Sequence, residues 1–182
     1  MKKILSLFVL VLTLVGCDAV NQVDAPTLSG LVETESELFY DFGDVNIEGG
    51  FVDTTFSFVN DSDEDLTVVS LATSCGCTRA EVVLNDGSKS PVFGMHTKTE
   101  WNEVVPAGES FEVLVTYDPM AHGPDAVGPI SRSVIMTTSS EENGRIAVID
   151  PESGYAFTQM NIKGRVLYAQ DFLESNQAED EL

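Results

Sequence analysis

The chain has 182 residues, 43% of them hydrophobic, and 30 acidic residues against 9 basic ones give it a formal charge of −21. That composition is globular and sufficient for one core of modest size, so a single domain is the starting expectation. A surface this acidic repels phosphate backbones and anionic headgroups, which excludes nucleic acid as an expected partner. Solvated acidic faces that keep the protein soluble account for the charge most simply, and attraction of cations or of a basic partner is the other use it could have.

Lys2 and Lys3 precede an apolar run from Ile4 to Val15, followed by Gly16 and Cys17. A basic start and a short apolar stretch form an export signal, too short for a comfortable membrane span. Leu14-Val15-Gly16-Cys17 resembles the bacterial lipobox, in which the leader is cut before a cysteine whose sulfur has received a diacylglyceryl group. The resemblance implies a signal peptide over residues 1–16, lipidation of Cys17, and anchoring on the exported side of a membrane, periplasmic or extracellular. Asp18 resembles the signal that retains enterobacterial lipoproteins in the inner membrane. With Cys17 acylated, two thiols remain, Cys75 and Cys77, and both would face an oxidising compartment.

Residues 17–37 are polar and acidic with Pro26 and Gly30 and no sustained period, as expected of a flexible tether. From Leu38 to Val45 the chain mixes aromatic and acidic residues at strand length before the turn at Glu48-Gly49-Gly50. Phe51 to Asn60 alternates cleanly, with Thr54, Phe56 and Phe58 on one face and Thr55, Ser57 and Val59 on the other, the pattern of a half-buried strand. Asp61, Asp63 and Asp65 invite a calcium-loop reading. Such a loop needs glycine at its sixth position and glutamate at its twelfth, and here those are Leu66 and Ala72, so a hairpin turn is expected instead.

Leu66 to Thr73 is continuous enough in apolar residues to belong inside a sheet, and it runs directly into Ser74-Cys75-Gly76-Cys77-Thr78. Further strands are expected at Arg79–Leu84, Phe111–Tyr117, Ile130–Thr138 and Tyr155–Leu167. Residues 89–104, with Met95, His96 and Trp101, suggest an extra hairpin, and the stretch from Ser139 to Gly154 a loop or short hairpin. Residues 169–182 are acidic with few large apolar residues, and a disordered, frayed end is expected there. About seven short strands between Gly, Pro, Asn and Asp turns, with no helical period after the leader, predict an all-β domain: an immunoglobulin-like antiparallel β-sandwich over residues 38–168.

The chemistry concentrates at Cys75 and Cys77. On an extended strand the α-carbons of residues i and i+2 stand about 6.5 to 7 Å apart, near the upper limit for a disulfide. A bend at Gly76 would let the ring close, with strain that makes it easier to reduce than an ordinary structural bond. Because the loop is tiny, closing it removes little chain entropy and contributes little stability. Four readings stay open: a structural disulfide or two small buried side chains, a redox-active dithiol, a soft-metal site, or other covalent chemistry. Arg79 is the cation nearest in sequence to the thiols. Cu(I) or Zn would draw on Cys75, Cys77, His96 and His122, with Met95 and Met120 as further donors.

Catalytic signatures are missing. There is no His-Glu-x-x-His, no nucleophile elbow, no phosphate-cradling glycine loop and no Ser-x-x-Lys, and with two histidines no Ser-His-Asp set is indicated. No catalytic residue and no resident cofactor is therefore assigned. Two functions follow: a non-catalytic scaffold or interaction module that binds another envelope protein, or a thiol-redox or copper-binding protein centred on Cys75 and Cys77.

Tyr40-Asp41-Phe42-Gly43-Asp44-Val45, Thr55-Phe56-Ser57-Phe58-Val59-Asn60, Ser74-Cys75-Gly76-Cys77-Thr78, Pro106-Ala107-Gly108-Glu109-Ser110 and Ile162-Lys163-Gly164-Arg165-Val166 together resemble the bacterial family called domain of unknown function 1573. That family is related in fold to the Hydin-like and major-sperm-protein-like sandwiches. The resemblance spans residues 38–168 and implies an exported sandwich of unassigned function, often lipid-anchored. The segments around His96 and Trp101 and from Glu141 to Gly154 are longer than the family's loops.

Overall fold

A computed structural model of the chain describes residues 31–32, 38–97, 99, 101–139, 148–149 and 155–179. The leader, Cys17 and nearly all of the tether lie outside the described residues. Seven strands of seven residues or more carry the fold: β2 (Phe39–Asn46), β3 (Val52–Asn60), β4 (Leu66–Thr73), β5 (Thr78–Leu84), β7 (Ser110–Tyr117), β8 (Gly128–Ser139) and β10 (Tyr155–Leu167). Three short strands, β1 (Leu31–Val32), β6 (Glu103–Val105) and β9 (Val148–Ile149), and helix α1 (Ala169–Glu179) complete it. The strands form two sheets, ordered β1-β3-β7-β5 and β2-β10-β8-β4-β6, with β9 added to β10.

The period-two alternation read from the sequence is what closes the two sheets on each other. In β3, Thr54, Phe56 and Phe58 face inward while Thr55, Ser57 and Val59 face water. Opposite them in β7, Phe111, Val113, Val115 and Tyr117 are buried. Phe58 stacks on Phe111 with ring centroids 5.3 Å apart. From the second sheet Val68, Leu71, Val134, Met136, Met160 and Ile162 fill the other half of the core. Burying side chains of this size contributes about 1.5–3 kcal/mol each, which is what holds the layers together.

Several expectations are corrected by the tertiary arrangement. One strand pair is not antiparallel: β2 lies parallel to β10, pairing Phe39 with Asn161 and Asn46 with Leu167. A register shift between Lys163 and Arg165 breaks this ladder, and Gly164 sits there because a Cβ would lie 3.0 Å from the Gly43 carbonyl oxygen. Asp61–Asp65 is not a hairpin turn, since β3 and β4 belong to different sheets. Asn60, fully buried, organises that crossing by donating from Nδ2 to the Val105 and Glu64 carbonyls and accepting from the Ser62 hydroxyl at Oδ1.

The described residues of 89–104 do not pair with one another as a hairpin. Lys89 and Phe93 bridge to the outer edge of β5, and Glu103–Val105 then crosses to pair with β4. Phe93, fully buried, packs edge-to-face with Trp101, their ring centroids 5.9 Å apart. Within the expected tether, Leu31 and Val32 pair with β3, whose outer edge would otherwise be open. Of the stretch from Ser139 to Gly154, Val148 and Ile149 make a short antiparallel ladder with Phe157 and Ala156.

The acidic end is also not frayed through residue 179. Helix α1 packs against β2 and β10 with Phe172 half-buried, and Gln170 and Glu174 bond one turn apart. A single aromatic anchor is too little to give a helical period in sequence, so the docking surface decides the conformation. Among the described residues, no helix is long and apolar enough to cross a membrane.

Candidate functional site

Cys75-Gly76-Cys77 is the turn by which the chain leaves β4 in one sheet and enters β5 in the other. The backbone bends there: the Thr78 N–H donates to the Cys75 carbonyl at 3.1 Å, and the Asp118 N–H donates to the Cys77 carbonyl at 2.8 Å. The buried Thr73 hydroxyl lies 2.9 Å from the Cys75 carbonyl and 3.1 Å from that of Thr78, clamping the turn from inside. Ser74 ties the same turn to β8 through its N–H on the Ser133 carbonyl and its hydroxyl under the Ser133 N–H.

The bend brings the two α-carbons to 5.2 Å, well inside disulfide range, and Cys75 and Cys77 are joined by a disulfide. Their surroundings differ. Cys77 is 1% exposed and Cys75 half-buried. The Arg132 Nε–H donates to Cys77 Sγ at 3.2 Å, and the His122 ring Nε2 stands 3.2 Å from Cys75 Sγ. The Cys77 N–H also points at Cys75 Sγ, 3.2 Å away, and the Thr78 hydroxyl lies 3.7 Å from Cys77 Sγ.

His122 arrives from the connection after β7. Asp118 starts it, accepting the Met120 N–H on its carboxylate at 2.9 Å, and the Gly123 N–H closes a second turn on the Met120 carbonyl. Gly123 has φ of 96°, a conformation other residues adopt only with strain, so this glycine lets the chain reverse right after His122. Arg132 comes from β8, where Ile130, Val134, Met136 and Thr138 face the core in alternation with outward residues. Arg132 occupies an inward position of that alternation, beside the buried Tyr117. Burial raises the Tyr117 phenol above its ordinary value, while the nearby Arg132 charge pulls it the other way and Asp118 adds to the rise.

Among the described residues, the sulfurs of Cys75 and Cys77 and a ring nitrogen of His122 form a group of possible metal donors lying within 4.8 Å of one another. His96 is not part of it: it lies exposed in the turn after Phe93, off the edge of β5. Arg79, the cation nearest in sequence, turns away to cover the Phe51 ring at 5.2 Å from its centroid. The cation at the sulfurs is Arg132, 55 residues away in the chain, which sequence reasoning missed. The signal that could have found it is a charge at an inward position of an otherwise apolar alternation.

No curated protein matches this chain in sequence. Among solved structures it is similar to the ASH/PapD-like domain 7 of human CEP192, at 9% identity and a TM-score of 0.47 over 83% of this chain and 97% of that one. It is also similar to a protein of unknown function from Porphyromonas gingivalis W83, at 13% identity and 0.45, covering 79% of this chain and 51% of that one. A third is WR4, a C. elegans MSP family member, at 13% and 0.37 over 71% and 93%. The β-sandwich assignment rests on the two sheets themselves. In sequence, residues 32–91, which run from β1 through the Cys75–Cys77 turn and β5, match the family described as "Protein of unknown function (DUF1573)", the family that the motifs resemble.

Proposed function

We propose that the chain is an exported module of the cell envelope, held to a membrane by a lipid on Cys17, that engages a partner protein by thiol–disulfide exchange at Cys75–Cys77. The observation that carries this reading is the placement of Arg132 Nε and His122 Nε2, each 3.2 Å from a different sulfur of one disulfide in a half-exposed turn. A bridge across one residue removes little entropy from the unfolded chain, so stability is a poor reason for it. A guanidinium beside a sulfur, by contrast, favours the thiolate that exchange requires. The basic and apolar leader ending at Cys17 supports delivery to a compartment where such a pair can be oxidised.

A second reading has its own observation. Once reduced, the two thiolates and His122 Nε2 would offer a compact set of soft and imidazole donors suited to Cu(I).

One experiment tests these readings. The full chain, purified from membranes, is weighed intact by mass spectrometry with and without alkylation across a series of glutathione redox buffers. The expected result is a mass that starts at acylated Cys17 and a pair that opens within the glutathione range, well above the roughly −300 mV of structural disulfides. A chain retaining residues 1–16, or a pair that stays bridged in every buffer, overturns the proposal. Native mass of the reduced chain after Cu(I) addition, beside a Cys75→Ser/Cys77→Ser double variant, decides the second reading: equal uptake by both removes it.

A further inference from the structure

We infer that the two sulfurs have separate tasks in exchange: Cys75 forms the bond to the partner, and Cys77 stays inside as the sulfur that leaves and returns. The inference rests on the exchange reading above and assigns it a direction.

Thiol–disulfide exchange is an in-line displacement, with the attacking sulfur approaching the bond from behind the sulfur it strikes. Behind Cys77 lies the protein interior, since that residue is 1% exposed and packed within the core cluster. Cys75 is half-buried, and Gly76 and His122 beside it are exposed, which leaves its sulfur the more approachable of the two. Access therefore selects Cys75.

Electrostatics select the same direction. When a partner thiolate bonds to Cys75 Sγ, the Cys75–Cys77 bond breaks and its electron pair goes to Cys77 Sγ. That sulfur already accepts the Arg132 Nε–H at 3.2 Å and has the Thr78 hydroxyl at 3.7 Å. A charge-assisted bond forms as the thiolate does, without either group having to move far. The mixed disulfide on Cys75 then has two exits. Cys77 thiolate can attack Cys75 and expel the partner thiolate, restoring the starting bond. Alternatively, a second partner thiol attacks the partner's sulfur, releasing Cys75 as thiolate. The balance of the second route is two partner thiols oxidised to one disulfide and the Cys75–Cys77 bond reduced, with the two protons from the partner thiols taken up by the pair. His122 Nε2, 3.2 Å from Cys75 Sγ, is placed to hold the proton that Cys75 gains or loses.

Running backwards, the reduced pair attacks a partner disulfide through Cys75, and Cys77 resolves the adduct. The same sulfur meets the partner in both directions. Arg132 acts here as a positioning residue for charge on Cys77.

The test uses the full chain in detergent with glutathione as the probe. The oxidised protein is mixed with reduced glutathione, quenched in acid, and mapped by fragment mass. The adduct is expected on Cys75. In a second arm, oxidised glutathione is added to reduced Cys77→Ser and Cys75→Ser variants. The variant that keeps Cys75 is expected to react about tenfold faster or more than the one that keeps Cys77, as exposure and access dictate. Arg132→Met should slow opening of the wild-type pair without moving the adduct, and Arg132→Lys should restore part of the rate. Wild-type mapping stands alone should a cysteine variant fail to fold. A glutathione adduct on Cys77, or equal rates in the two variants, overturns the assignment while leaving exchange intact. If glutathione neither adds to the pair nor opens it, exchange itself fails and the assignment falls with it.

Discussion

Removing the charge of Arg132 should make the Cys75–Cys77 pair harder to reduce, by an amount the structure lets one bound. In the oxidised protein the Arg132 Nε–H meets a neutral sulfur at 3.2 Å, an ordinary weak bond. With the charge of the reduced pair on Cys77, as the exchange reading has it, the same donor meets a thiolate. A hydrogen bond to a charged group is worth about 1.5–3 kcal/mol net, and a neutral one about 0.5–1.5. The difference, about 1–2 kcal/mol, is what Arg132 adds to the reduced state alone. For a two-electron couple this is roughly 20–45 mV, so Arg132→Met should have a reduction potential lower by that much. The measurement is equilibration in glutathione or dithiothreitol buffers, alkylation of free thiols, and mass spectrometry of the trapped fractions. Arg132→Lys should fall between, because it keeps the charge without the planar donor. An unchanged or higher potential in Arg132→Met, with a wild-type circular dichroism spectrum, would refute the assignment of Arg132 to the thiolate.

Two further outcomes test the scaffold around the site. Asn60→Ala leaves the buried Val105 carbonyl without its donor and unties the β3–β4 crossing, so it should destabilise the fold by about 2–3 kcal/mol, read as a lower urea midpoint with an unchanged slope. A variant as stable as wild type would show that the crossing does not depend on this side chain. Tyr117 is held above its ordinary 10.0 mainly by burial, so its contribution is complete below that value and is lost as pH rises through the higher folded one. Thermal midpoints measured on the alkaline side should therefore fall in wild type and fall less in Tyr117→Phe. Parallel curves would refute that.

Much of this molecule was legible residue by residue. Period-two alternation marked β3 and β7, a continuous apolar run marked Leu66–Thr73, and turn residues set off the other long strands; Leu66–Thr73 and Tyr155–Leu167 have the bounds read in this way. The two thiols of the site were equally visible, as was the bend at Gly76 that a bridge between them requires. These features are local: side-chain direction in a strand repeats every two residues, and ring closure across one residue involves only that residue's backbone.

Tertiary structure alone decided which strands became neighbours. The parallel pairing of β2 with β10 joins the two ends of the domain, and the sheet crossings at Asn60 and at Cys75–Cys77 depend on which layer each strand enters. Helix α1 forms where it lies against β2 and β10, with Phe172 half-buried. The same holds for the chemistry at the sulfurs. Arg79, two positions from Cys77, covers a phenylalanine ring, whereas Arg132 and His122, brought in by β8 and by the connection after β7, take the two sulfurs. Proximity along the chain fixes how a segment bends, but charge and access at a site are set by packing, which brings together residues dozens of positions apart.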